Sequence, residues 1–216
     1  MAAQSSSLTF DDALTLIAAS LGSPEQAAGQ LRALVGHPSP ELRARALEAL
    51  IEVEGPETVT TAAGALGDPD ALVRIAAIEL LTAQGREEHR PTIWRLALED
   101  ADVRVRVHAL LNLSAFEGPL DLDALTQLAR RSSGALLVAS ANLLCARGRR
   151  EWLLPLLEGL FDPEHTTRAM TLTLLEDHVQ PQERAFVRRL LMERREVEAL
   201  TAVRARMDAL LAVWSD

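Results

Sequence analysis

An all-α fold, a right-handed α-solenoid of about five to six stacked helical hairpins, is what this sequence predicts, and three observations predict it. The chain is 48% hydrophobic but only 3% aromatic. Ala and Leu supply the missing bulk, and both are strong helix formers whose compact side chains suit close helix packing. A nine-residue pattern recurs as LRARALEAL at 42–50, VRIAAIELL at 73–81 and VRVRVHALL at 103–111, then more weakly as LVASANLLC at 137–145 and TRAMTLTLL at 167–175. Its starts are separated by 31, 30, 34 and 30 residues, a period that holds two short helices and their turns. Shorter apolar segments alternate with the repeated ones, and each supplies the other helix of a hairpin.

Taken in order, residues 1–8 read as a flexible N-terminus. TFDDALTLIAASL at 9–21 has Thr9 as a helix cap and apolar residues at helical spacing, so 9–22 reads as a cap over the first repeat. The first helices of the hairpins fall at 25–35, 57–66, 92–98, 122–129 and 151–160. The second helices are the repeated segments, in which the first apolar residue and those four and eight positions later share one face. That places Leu42, Ala46 and Leu50 in the core, then Val73, Ala77 and Leu81, then Val103, Val107 and Leu111. The weaker copies contribute Leu137, Ala141 and Cys145, then Thr167, Thr171 and Leu175. Pro40, Pro69 and Pro163 stand near helix starts, where a missing amide donor costs little, and Asp68 and Asp162 can cap the turns that follow them. The charged tail at 181–214 reads as a final capping hairpin, closing one solenoid over 9–214.

ALGDPDALVRIAAIELL at 65–81, with LVGHPSPELRARALEAL at 34–50 and LEDADVRVRVHALLNL at 98–113, resembles the HEAT repeat, especially the bacterial subclass found in chromophore-lyase-related proteins. The resemblance covers about residues 23–177 and implies a HEAT-like scaffold whose loop acid helps hold the Arg after the first apolar residue. Asp68 with Arg74 fits that role most clearly. Arg43, Arg104 and Arg168 occupy the same phase and Val138 departs from it, so an acid–arginine ladder should weaken near that copy.

The same helical phase sends positions two, three and six of each copy away from the core. The outward residues of interest are Arg45 and Glu48, Ile75 and Glu79, Val105 and Arg106, Leu143, and Met170. In the HEAT family the second helix commonly lines the concave face. A surface passing from charged to apolar suits an extended segment or helix of another protein. The competing reading packs Ile75, Val105, Leu143 and Met170 against neighbouring helices.

Chemistry is sparse. The formal charge is −9, with 22 basic residues, all Arg, against 31 acidic ones, so no general nucleic-acid footprint is expected. The Arg-rich tail interleaves its Arg with Glu and Asp, as a solvated helix surface does. The single Cys145 lies in an apolar helical phase and reads as a buried thiol. Glu87, Glu88 and His89 are adjacent in a loop and form no recurring metal pattern, and no HExxH occurs. The His-Glu pairs of helical-repeat hydroxylases are missing. No catalytic, cofactor or metal residues are therefore assigned. MAAQSSSLTF is unlike a secretory signal and no apolar run approaches membrane-spanning length, so a cytoplasmic location without membrane insertion is expected. The functional expectation is a non-enzymatic scaffold or adaptor binding another protein. The alternative is a lyase or modifying factor acting on a protein-bound chromophore. The sequence leaves self-association undefined.

Overall fold

In the computed structural model, which describes residues 10–20 and 22–214, every regular element is helical. Thirteen α-helices run through these residues: α1 (Phe10–Ser20), α2 (Pro24–Leu34), α3 (Pro40–Ala49), α4 (Pro56–Ala65), α5 (Ala71–Ala83), α6 (Arg90–Glu99), α7 (Val103–Leu113), α8 (Leu122–Arg130), α9 (Gly134–Ala146), α10 (Leu153–Glu158), α11 (His165–Leu175), α12 (Arg184–Val197) and α13 (Thr201–Val213). From α2 onward they pair as six hairpins of a solenoid type. Thr9 and residues 1–8 lie outside the described residues.

Contacts cluster in two compact units, one ending at Gly118 and the other beginning at Pro119, where the repeat spacing predicts one stack over 9–214. In the first unit the second helices carry the stacking: α3 packs on α5 and α5 on α7, while α1 covers α2 and α3. The core row is regular. Leu42 and Ala46 of α3 and Leu50 at its C-cap are fully buried, as are Val73, Ala77 and Leu81 of α5. Alanine at the centre of each triad permits the close approach that buries both flanking aliphatic residues.

The corresponding triad of α7 is Val105, Ala109 and Leu113, all fully buried, rather than Val103, Val107 and Leu111. Val103 is 52% exposed. V-R-V-R-V contains two equivalent Val-Arg steps, so its own pattern cannot set the phase. The turn before it does: Asp102 caps α7 and accepts from the Arg104 amide, just as Asp70 caps α5 and accepts from the Leu72 amide. The residue four after the cap is therefore Arg74 in α5 and Arg106 in α7.

In the second unit α9 packs against α8, α10 and α11, and α11 against α13. Being surrounded, α9 is buried on nearly every side, from Leu136 through Cys145 apart from Leu137. Gly159 permits the tightest approach here. A β-carbon on it would stand 2.1 Å from Thr171 Oγ1 and 2.5 Å from Val138 Cγ2. Buried His178 has Nε2 2.8 Å from Asn142 Oδ1 of α9, and Arg150 donates to the His178 carbonyl at 2.8 Å and to Glu183 at 2.5 Å. Cys145 is buried, and desolvation pushes its thiol up to about 11. No described helix is long and apolar enough to cross a membrane.

Candidate functional site

Two constellations stand out, a ladder along the loops and a groove between second helices. The ladder begins with the arginine four residues after each helix cap, which is long enough to reach back over its own turn and sideways to the next repeat. Arg43 donates Nη1 to the carbonyls of His37 and Pro38, both at 3.0 Å, while Nε and Nη2 grip the Asp68 carboxylate at 2.9 and 2.7 Å. Arg74 repeats the geometry, with carbonyl contacts to Asp68 and Pro69 and a bidentate grip on Asp100 at 2.9 and 2.7 Å. Arg168 does the same with the carbonyls of Asp162 and Pro163 and with Glu198, at 2.7 and 2.8 Å. Asp68, Asp100 and Glu198 thus each serve the arginine of the preceding repeat. Where the resemblance pairs Asp68 with Arg74, only the Asp68 carbonyl receives Arg74.

The loop acids share a second task. Asp68 accepts from the Asp70 amide, Asp100 from that of Asp102, Asp162 from that of Glu164 and Glu198 from that of Leu200, each two residues ahead. They brace the turn, and the caps proper are Asp70 and Asp102 in the two best-formed copies. The electrostatics follow. Burial pushes the Asp68 carboxyl up, but the Arg43 bonds, the Asp70 amide and the charges of Arg43 and Arg74 outweigh it and hold it below its ordinary value. Arg168 bonding pulls Glu198 down to about 2 against the opposing effect of burial.

Arg104 does not belong to this row. It is exposed and folds back on Asp102, its own helix cap. The residue in the ladder position is Arg106, whose Nε reaches only the Ala97 carbonyl at 3.3 Å. Two residues before the α9 cap, where the turns of α5, α7, α11 and α13 place an acid and that of α3 places His37, stands Arg131. The ladder position of α9 is Leu137, whose amide bonds to Ser133, rather than Val138, which is buried.

The groove lies between α3 and α5 in the first unit, an open cavity of about 350 Å³ lined by Glu41, Ala44, Arg45, Glu48, Leu72, Ile75, Ala76 and Glu79. It gathers four predicted contact residues, Arg45, Glu48, Ile75 and Glu79. Glu41 and Leu72 join them, which the position rule missed because both lie in the first helical turn. Arg45 donates to Glu41 at 3.2 Å, and Glu79 lies 2.9 Å from His108 Nδ1 on α7. Three carboxylates thus stand with one arginine around an apolar floor in which Leu72 is 48% exposed, while Ile75 and Ala76 line it from largely buried positions.

The other predicted contacts are placed elsewhere. Val105 and Leu143 are fully buried, which removes both from any partner surface. Val105 is the core residue of its triad, and Leu143 is enclosed because α9 has packed neighbours on several sides. Arg106 is half-buried in its ladder position, and Met170 is half-buried on α11 of the second unit.

The family model for HEAT repeats matches residues 61–143. No curated protein matches the chain.

Proposed function

We propose that this chain, a HEAT-repeat protein, acts as a non-enzymatic scaffold or adaptor that holds a segment or helix of another protein in the groove between α3 and α5. HEAT repeats are generally protein-interaction scaffolds. The observation that carries the reading is the groove's composition. Glu41, Glu48 and Glu79 surround Leu72, Ile75 and Ala76; Glu41 pairs with Arg45 and Glu79 lies against the His108 imidazole, while Glu48 has no ion pair among the described residues. An apolar floor with an acidic rim suits a segment that pairs aliphatic anchors with Arg or Lys, since apolar contact supplies affinity and complementary charge fixes orientation.

The test is direct affinity. A partner captured from the source cell and then purified is titrated against the full chain and against Glu48→Arg and Leu72→Asp, two exposed changes that leave the core triads intact. Each variant should retain its helical circular dichroism and bind at least about tenfold more weakly. Unchanged affinity in both folded variants rejects this groove as the contact surface.

A further inference from the structure

We infer that the second unit contains a receptor for a guanidinium group, the vacant rung beside Asp162, and that its occupant is an arginine side chain on a partner protein. Three filled rungs define what belongs there. In each, an arginine four residues after a helix cap sends Nε and Nη2 to a carboxylate one repeat onward. Asp162 is such a carboxylate by its own geometry, since Oδ1 braces the Glu164 amide at 2.8 Å as Asp68 braces Asp70 and Asp100 braces Asp102. From Asp162 Arg168 takes the carbonyl and not the carboxylate, as Arg74 does from Asp68. What is missing is the counterpart of Arg43, because the α9 ladder position holds Leu137.

The omission leaves space. A cavity of about 250 Å³ opens at this point, with Leu137, Gly134 and Asp162 in its wall alongside Glu158 and Phe161. It is smaller than the roughly 300 Å³ at which pockets for whole small ligands begin, and is scaled to one side chain. Gly134 has φ of 58°, and a β-carbon there would stand 3.3 Å from Asp162 Oδ2, so the glycine keeps that oxygen uncrowded. Glu158 adds a second negative charge, and Phe161, 57% exposed, offers its ring to an arriving cation and its aliphatic stem. A planar guanidinium satisfies a carboxylate through two parallel bonds, which an ammonium cannot reproduce. That the arginine comes from a protein rests on the scaffold reading, whereas the guanidinium chemistry of the site does not.

The test titrates the isotope-labelled full chain with acetyl-Gly-Arg-Gly-amide and with the same peptide carrying citrulline, the neutral isostere, and follows backbone amides by NMR. The arginine peptide should shift Glu164 and Gly134 saturably, with the citrulline peptide at least about tenfold weaker. Asp162→Asn retains an oxygen to brace Glu164 yet should lose the response. Leu137→Arg should lose it as well, by supplying the guanidinium from within the chain, and should raise Tm. No saturable shift, equal response to citrulline, or an undiminished response in folded Asp162→Asn overturns the proposal. Because the titration requires no partner and Glu48→Arg should leave it unchanged, its failure is distinct from failure of the α3–α5 groove.

Discussion

The first unit repeats one solution, whereas the second spends the same elements differently. Arg43–Asp68 and Arg74–Asp100 are near-copies, both partly exposed, in the unit whose groove remains open between α3 and α5. In the second unit one rung lacks its arginine and another is sealed. Glu198 has no exposed side-chain surface and receives Arg168, Arg194 and the Leu200 amide, while its carbonyl takes Arg204. Meanwhile α9 has become a central helix. Regular repetition leaves a face available, and specialised packing consumes it.

The sharpest break of that comparison is Leu143→Asp. A carboxylate forced into the core around α9 should cost about 5 kcal/mol or abolish folding, because neither water nor a cation can reach it. The outward phase read from sequence instead predicts a folded variant with altered binding. Denaturant unfolding against Glu48→Gln, an exposed change expected to stay within about 0.5 kcal/mol, decides between them.

Glu198→Ala follows, at about 3–5 kcal/mol, since it leaves Arg168 buried without its counter-charge. Arg104→Ala, which removes only an exposed contact to Asp102, should unfold at nearly the same denaturant concentration as the unaltered chain. Comparable losses would erase the distinction between ladder and surface pairs. Gly159→Ala should cost about 1–3 kcal/mol, because Thr171 and Val138 must move to admit one methyl group.

Acid separates the units by a smaller margin. Burial holds the His178 pKa below its ordinary value, so the unfolded chain takes the proton first, and stability contributed there is lost as pH falls below about 6.5. Glu198, held to about 2, gives stability that is complete above its unfolded value near 4.5 and lost as pH falls from there toward 2. Amide protection in the second unit, taken relative to the intrinsic exchange rate at each pH, should therefore fall in two stages on acidification. His178→Gln should remove the first stage alone.

What could be read beforehand depended on local contrast. In α5 a single apolar-Arg step follows the turn, and in α3 the second step carries only the small Ala44 against Leu42 in the first, so the core triads Leu42–Ala46–Leu50 and Val73–Ala77–Leu81 were legible. In α7 the doubled Val-Arg step hid the phase, although the recurring acid-x-cap spacing of Asp68–Asp70 and Asp100–Asp102 carried the missing signal. In α9 nearly every residue is small or apolar, so periodicity has nothing to discriminate, and only the neighbours α8, α10 and α11 explain why Leu143 is enclosed. Half of the predicted contact set, Arg45, Glu48, Ile75 and Glu79, lines one groove because α3 and α5 share a register. The direction of the ladder, each acid serving the arginine before it, is a fact of stacking that no single repeat contains.

The most direct measurement of the functional claim is hydrogen exchange of the full chain alone and saturated with its captured partner. The groove account predicts slowed exchange across residues 41–48 and 72–79, where Glu41, Glu48, Leu72 and Glu79 stand. Protection confined to the second unit, with both of these segments exchanging as in the free chain, contradicts it.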